Sequence, residues 1–161
     1  MKNQNSQAIF EKAKRCAFLL LKFRLRTEQE LVSRMKQKKY PAEIISRTID
    51  FLKEKKFIND EIFTRAWIDS RLKRSMGMRR VKNELKLKGV PGAIIDRSIG
   101  EAKENYSEDE TVADLIKHKM HSMKDIDPRK AKERLYAFLL RRGFSSEAIM
   151  DNLNRAIKDE S

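Results

Sequence analysis

Two stretches of the chain share one pattern at a spacing of fifty residues: Leu31-x3-Met35-x4-Tyr40-Pro41-x2-Ile44-Ile45-x-Arg47-x-Ile49 and Val81-x3-Leu85-x4-Val90-Pro91-x2-Ile94-Ile95-x-Arg97-x-Ile99. A weaker third copy follows as Leu135-x3-Leu139-x4-Phe144-x3-Ala148-Ile149-x3-Leu153. Apolar residues three and four positions apart predict helices with one buried face. Repeats of this length are typical of supersecondary units that pack on their own helices and on their neighbours. The pattern therefore predicts an all-α fold made of tandem repeats.

The charge balance of the chain is strongly basic. Among 161 residues there are 37 Lys and Arg against 24 Asp and Glu, a formal net charge of +13. Charged residues make up 38% of the chain, a high share that suits small helical units with much exposed surface. An excess of this size favours an anionic partner, either a polyanion or an acidic protein groove. The alternative is that it serves solubility alone.

Cysteine content and hydropathy favour a reduced, cytoplasmic setting. Cys16 is the single cysteine, so the chain forms no internal disulfide and no cysteine-based zinc site. The first seven residues are polar and lack the apolar core of a signal peptide. The apolar run at 18–21 is far too short to span a bilayer. We expect a cytoplasmic protein with no membrane contact.

Cap and breaker residues place the helices. Thr27 and Glu30 read as a capping box that opens a helix running to about residue 38. Gly89 is expected to end another helix in a left-handed cap. A second capping box begins at Ser107, and Gly143 ends the helix that follows Pro128.

The spacing of apolar residues predicts which face of each helix is buried. The first helix is expected to bury a stripe of Ile9, Ala13, Cys16 and Leu20. The helix after Asn59 is expected to point Phe63, Ala66 and Trp67 inward and to end at Gly77. Aromatic residues here could stack on bases, but their helical spacing favours core packing, and we extend that interpretation to Phe57.

These signals divide the chain into three three-helix repeats, at 7–56, 57–106 and 107–159. The joints carry no Gly/Ser-rich or Pro-rich linker, so they are short. We expect an elongated, curved helical array that is monomeric. Such arrays form open binding surfaces and seldom enclose a catalytic pocket.

The densest run of cations in the chain lies in the middle repeat. Eight cations fall within eighteen residues, opposed in that stretch only by Glu84. Arg79, Lys82 and Lys86 project on one side of their helix at about 100° per residue, away from its apolar stripe. A phosphate backbone requires such spaced cations, although a solvated helix face is the alternative. The predicted binding residues of this repeat are Arg71, Lys73, Arg74, Arg79, Arg80, Lys82, Lys86 and Lys88.

The first repeat carries a weaker basic run. Arg24 and Arg26 are its candidate binding residues, and further cations precede them and continue from Arg34 to Lys39. Glu28 and Glu30 interrupt the run, so binding and a solvated face are equally supported here. Leu87 falls outside the buried stripe of its helix and could touch a partner, although single exposed leucines are common.

Little in the sequence suggests an enzyme. His118 and His121 lie three residues apart, with Asp114 one turn earlier, and could hold a metal ion. A polar helix face explains them better. The chain contains no Gly-rich phosphate loop and no nucleophile elbow, so neither catalytic residues nor a cofactor are predicted.

The chain resembles the RecX family of bacterial regulators of the RecA recombinase, over essentially its whole length. The resemblance is densest at Arg24-Leu25-Arg26-Thr27-Glu28-Gln29-Glu30-Leu31, at Phe57-Ile58-Asn59-Asp60-Glu61-Ile62-Phe63, at Trp67-Ile68-x2-Arg71 and at Gly77-x2-Arg80-Val81-x2-Glu84-Leu85-x2-Lys88-Gly89-Val90. Two departures are Thr64, where the family usually has alanine, and Lys39, where many members carry glycine.

The resemblance implies a non-enzymatic protein of tandem three-helix repeats that binds RecA filaments on single-stranded DNA. It implies binding along the filament groove and blocked filament growth or faster disassembly. RecA's ATPase, strand exchange and coprotease activity in the SOS response would fall as a result. Two other functions stay open: a sequence-independent DNA-binding protein, which explains the charge but not the motifs, and a metal-dependent nuclease built on His118 or His121.

Overall fold

The computed structural model describes residues 2–123 and 125–159, apart from the side chains of residues 2, 3 and 157–159. Within these ranges the chain forms nine α-helices and no strand. The helices are α1 Lys2–Phe23, α2 Glu28–Gln37, α3 Ala42–Glu54, α4 Asp60–Leu72, α5 Met78–Leu87, α6 Gly92–Lys103, α7 Glu108–His121, α8 Pro128–Arg142 and α9 Ser146–Asp159. The predicted all-α class is confirmed.

Local cap chemistry sets the helix ends. The Thr27 hydroxyl accepts from the Glu30 amide at 3.1 Å, and the Glu30 carboxylate accepts from the Thr27 amide at 3.2 Å, which confirms the capping box. The Asn59 side chain accepts from two amides in the first turn of α4. Gly89 and Gly143 are left-handed, with φ of 74° and 89°, as predicted for helix-ending glycines.

The chain packs as two compact units that do not follow its repeat pattern. Unit 1 comprises the chain up to Ala66 together with Leu85–Ile95. Unit 2 comprises Trp67–Glu84 together with the chain from Asp96 onward. Segments of the middle repeat therefore belong to both units. The repeat boundaries drawn from the sequence stay a prediction.

Each unit has its own apolar core. The core of unit 1 joins α1, α2 and α3 and includes Leu31, Met35, Ile45 and Leu52, all nearly inaccessible to solvent. The core of unit 2 joins α7, α8 and α9 through residues such as Val112, Leu139, Phe144 and Ile149. The repeated sequence pattern supplies most of these residues: Leu31, Met35, Ile45, Leu139, Phe144 and Ile149. The repeated pattern therefore marks buried faces.

The structure corrects the prediction for α4. Phe63 is buried, but Ala66 is exposed and Trp67 is only half-buried, while Thr64 and Ile68 are fully buried. Ala66 lies roughly 200° around the helix from Ile68, so both cannot face the same core. The helix also ends at Leu72, five residues before Gly77. A turn through Ser75, with φ of 50°, ends it without glycine.

Two further predictions of burial need correction. The buried stripe of α1 is Phe10, Ala13 and Ala17, whereas the predicted Ile9, Cys16 and Leu20 are only half-buried. Phe57 is 50% exposed, so it is not a core residue. Its ring instead makes an edge contact with the Phe18 ring, with 4.9 Å between centroids.

Candidate binding surfaces

The predicted basic residues of unit 2 lie at the end of α4, in the turn that follows, and at the start of α5. Lys73, Arg74, Arg79 and Arg80 are exposed, while Arg71 and Lys82 are half-buried. The turn is held from α8, because Arg142 donates to the carbonyls of Arg74 and Ser75 at 2.7 and 3.0 Å. These bonds fix the backbone that carries Lys73 and Arg74.

Two glycines allow the start of α5 to approach the end of α8. A Cβ atom on Gly77 would lie 2.2 Å from the Gly143 carbonyl oxygen, and one on Gly143 would lie 2.5 Å from the Arg80 amide nitrogen. The Gly77 amide donates to the Arg142 carbonyl at 2.8 Å. The close approach thus sets where Arg79 and Arg80 stand in unit 2.

Glu84 neutralises part of this basic group. Its carboxylate accepts from Arg71 at 2.6 Å, from Arg80 at 3.0 Å and from the indole of Trp67 at 3.0 Å. The Arg71 guanidinium also lies over the Trp67 ring, 4.0 Å from its centroid. Burial alone would raise the pKa of Glu84, but these hydrogen bonds outweigh it and hold the pKa below its usual value.

Lys82 also has an acidic partner, because its ammonium group forms an ion pair with Asp96 at 2.6 Å. The outward stripe that the sequence predicts on α5 is therefore not uniformly free. Within the described residues, the side chains of Lys73, Arg74 and Arg79 form no ion pair in unit 2. Those three cations remain available to an anionic partner.

In unit 1 the segment after α5 is joined to α2 by polar contacts. The Thr27 hydroxyl donates to the Lys88 carbonyl at 2.7 Å, and the Lys88 ammonium pairs with Glu30 at 3.0 Å. Gly89 sits against the Gln29 side chain, where a Cβ atom would lie 2.4 Å from Cγ. The left-handed glycine thereby lets Lys88 and Gly89 lie directly on the start of α2.

Glu30 is the central acid of this contact. It accepts from Arg24 through two oxygens at 2.9 and 3.0 Å, and from Lys88. Burial alone would raise its pKa, but Arg24, Lys88 and the Thr27 amide together lower the pKa to about 2. Arg24 and Lys88 are therefore structural as well as charged.

The structure brings the predicted residues together in two groups. Unit 2 collects Arg71, Lys73, Arg74, Arg79, Arg80 and Lys82, and unit 1 holds Arg24, Arg26, Lys86 and Lys88. The sequence marks Leu87 as a possible contact and Arg34 as part of a basic run, but it does not place them together, whereas in the structure both line one cleft with Arg24, Arg26 and Lys88. Their separation of more than fifty residues along the chain hides this proximity in the sequence.

The alternative metal site gains no support from the described residues. His118, His121 and Asp114 are all exposed. No group of three or more His, Cys, Asp or Glu side chains suited to a metal ion occurs in the part of the chain that the structure describes. No helix in that part of the chain is long and apolar enough to cross a bilayer.

Family models match the chain in three places, in the order of its repeats. The first three-helix domain of RecX matches residues 13–52, the second matches 59–99 and the third matches 107–151. Together they cover well over half of the chain.

Curated relatives agree with the family models. "Regulatory protein RecX" of Streptomyces coelicolor is 29% identical over 151 residues, covering 93% of this chain and 80% of the relative. The protein of the same name from Clostridium beijerinckii is 33% identical over 141 residues, covering 86% of this chain and 65% of the relative. The one from Chlorobium limicola is 32% identical over 140 residues, covering 86% of each chain.

Solved structures share the fold. The crystal structure of RecX from Lactobacillus salivarius superposes with a TM-score of 0.79 at 20% identity, covering 92% of this chain and 97% of that one. A second RecX crystal structure gives a TM-score of 0.75 at 19% identity, covering 91% of this chain and 74% of that one. With three domain models matched in order and relatives aligned over most of its length, this chain belongs to the RecX family of regulatory proteins.

Proposed function

We propose that this protein is a non-enzymatic regulator of the RecA recombinase, acting mainly as an inhibitor. It binds the RecA filament on single-stranded DNA and blocks filament growth or promotes disassembly. The observation that carries the proposal is the match of all three RecX domains in order along the chain. Lower RecA ATPase, strand exchange and coprotease activity follow from the loss of filament.

The unpaired cations of unit 2 support a DNA-containing target. Lys73, Arg74 and Arg79 are exposed and their side chains make no ion pair within the described residues. Binding a phosphate to them displaces condensed counterions without first breaking a salt bridge. Arg71, Arg80 and Lys82 already have carboxylate partners, so they add less to binding.

Several modest contacts on one chain account for regulation. Once one contact forms on a filament, the others act at a raised local concentration. A protein that fits one arrangement of the filament better than another shifts the filament toward that arrangement. Inhibition follows if the favoured arrangement cannot add subunits or turn over ATP.

Sequence-independent DNA binding is the second candidate function. The same three unpaired cations favour it, because they suit phosphates in any sequence. On this alternative, bare single-stranded DNA competes for the protein as well as a RecA filament does. The domain matches are then unrelated to its activity.

The test is the single-stranded-DNA-dependent ATPase of RecA, titrated with this protein. We expect inhibition well below one molecule per RecA protomer, as blocked growth or disassembly requires. If inhibition appears only when the protein can coat the DNA, and extra DNA relieves it, DNA binding is the function instead.

A matched pair of triple variants tests the unpaired cations. The first replaces Lys73, Arg74 and Arg79 with alanine. The control replaces Lys117, Lys130 and Arg134, which are also exposed residues of unit 2, and it removes the same charge. We expect only the first to weaken filament binding, with the slope of log affinity against log salt reduced by about 2. Equal effects from both variants would show that net charge alone matters.

A further inference from the structure

Unit 1 contains a cleft of about 260 Å³ at the junction of α2 with the segment that follows α5. Charged and polar side chains form most of its wall, together with one leucine. The lining residues are Arg24, Arg26, Gln29, Glu30, Ser33, Arg34, Gln37, Leu87 and Lys88. The contacts of Thr27 and Glu30 with Lys88 hold the two sides of the cleft together.

The cleft is lined by more basic than acidic side chains. Four cations line it, and Glu30 is its single acid, shared by Arg24 and Lys88. Arg26 donates to the Leu20 carbonyl at 3.2 Å and Arg34 to the Gln37 side chain at 3.2 Å. Among the described residues, neither forms an ion pair with a carboxylate. Both guanidinium groups thus keep donors for an incoming anion.

The charges of the cleft repel one another. Burial lowers the pKa of the Arg26 guanidinium below its ordinary value, and the positive charges of Arg24 and Arg34 lower it further, partly offset by the attraction of Glu30. Arg26 stays charged, since an arginine does not lose its proton in a protein. An anion placed among the three arginines relieves this repulsion.

Leu87 gives the cleft an apolar wall. Its side chain is 89% exposed, the most exposed of the large apolar residues in the described chain. A leucine left in water beside paired cations contributes nothing to folding, because no apolar surface is buried. It does offer an apolar contact to a ligand that also carries negative charge.

Size and composition together favour a protein ligand over nucleic acid. The cleft, of about 260 Å³, is the size of a few side chains, so a duplex would meet only its rim. Single-stranded nucleic acid is bound by spaced cations and by aromatic rings that stack on bases, and no aromatic ring lines this cleft. Arginine forks beside an aliphatic side chain instead match carboxylates that flank an aliphatic residue.

We propose that this cleft binds an acidic protein segment, with Arg26 and Arg34 pairing with its carboxylates and Leu87 contacting its aliphatic side chain. The inference rests on the proposed function only for the identity of the protein that supplies the segment. It assigns this part of unit 1 to contact with protein and not with DNA.

The test is an NMR titration of the full chain with a capped hexapeptide of sequence DLEELD. Arginine side-chain Nε–Hε signals and the Leu87 amide report the cleft. Hexathymidylate and the peptide DSEESD are titrated in parallel. Neither RecA nor a filament is present, so failure here leaves the proposed function standing, and failure of the ATPase test leaves this result intact.

Two variants sharpen the titration, and both change exposed side chains, so the fold is retained. Arg34→Ala and Leu87→Ala should each weaken the DLEELD complex about fivefold, the loss expected for one exposed contact of about 1 kcal/mol. Lys36→Ala removes an exposed cation of the same helix that does not line the cleft, and it should change nothing. DSEESD should bind the wild-type chain about as weakly as DLEELD binds Leu87→Ala.

Three results would overturn the inference. The first is that DLEELD causes no shifts at the cleft at millimolar concentration. The second is that Leu87→Ala binds the peptide like the wild-type chain. The third is that hexathymidylate occupies the cleft more tightly than the peptide, which would assign the cleft to nucleic acid.

Discussion

Lys39 and Gly89, fifty residues apart in corresponding positions of two repeats, both adopt the left-handed backbone conformation, with φ of 61° and 74°. Each follows a short helix and precedes a proline helix start. Glycine adopts this conformation without strain, whereas for a residue with a side chain it costs about 1 kcal/mol or more. The first repeat therefore carries a strain that the second avoids.

Replacing Lys39 with glycine should raise the free energy of unfolding by about 0.5–1 kcal/mol, because the relief of strain exceeds the added chain entropy of glycine. Urea unfolding followed by circular dichroism measures the change. Lys38 has φ of −82°, so Lys38→Gly should destabilise by a similar amount. A lower urea midpoint for Lys39→Gly would contradict the prediction.

Gly77 and Gly100 should respond to alanine in opposite directions. A Cβ atom on Gly77 would collide with the Gly143 carbonyl oxygen, and neither backbone can give way easily. We expect Gly77→Ala to cost about 3 kcal/mol or more in unfolding free energy. Nothing lies within 4 Å of a Cβ atom on Gly100 in α6, so Gly100→Ala should stabilise by about 0.5–1 kcal/mol. Equal urea midpoints for the two variants would refute the close contact.

Stability should depend on the ionisation of Glu30. Its pKa is lowered to about 2 in the folded chain from an ordinary 4.5, so its charged form stabilises the fold above pH 4.5. This contribution, about 2 kcal/mol after solvent screening, declines as pH falls below 4.5 and is lost once pH has passed through the folded pKa near 2.

Comparison with Glu30→Gln isolates that contribution. Urea unfolding from pH 7 down to pH 2 should show the variant less stable at neutral pH and similar to the wild-type chain at the acid end. Glu43→Gln, an exposed residue of α3, serves as control and should follow the wild-type curve throughout. A constant gap between wild type and Glu30→Gln at every pH would place its cause elsewhere.

Glu84→Gln should lower the stability of the fold but raise its affinity for polyanions. The variant keeps the shape of the side chain but removes the charge that holds Arg71 and Arg80, so we expect a loss of about 1–2 kcal/mol in unfolding free energy. Two neutralised cations become available, and affinity for single-stranded DNA or the RecA filament should rise with a steeper salt dependence. Trp67, the single tryptophan, reports the site by fluorescence because its indole donates to Glu84. Weaker polyanion binding in this variant would exclude these arginines from the interface.

Sequence reasoning succeeds where short-range chemistry decides the structure. The capping box at Thr27, the left-handed Gly89, the helix end at Gly143, and the buried Val81 and Leu85 depend on residues within a turn or two of each other. Local patterns of this kind are visible in a single chain.

Sequence-based prediction fails where contacts between residues far apart in the chain determine the structure. Lys82 and Lys88 look free in sequence because their partners, Asp96 and Glu30, lie 14 and 58 residues away. The exposure of Ala66 depends on which side of α4 meets a core, and alanine fits either side. The cleft that joins Arg34 to Leu87 depends wholly on tertiary packing.

The hydrogen bonds from Arg142 to the Arg74 and Ser75 carbonyls have a consequence for folding during synthesis of the chain. Unit 1 has all of its residues once Ile95 has left the ribosome. The turn at 73–77 then still lacks its partners, because Arg142 and Gly143 are made more than sixty residues after it. During synthesis, all residues of unit 1 are therefore present while the basic turn at 73–77 still has no partners. The partners become available only when the end of α8 has left the ribosome.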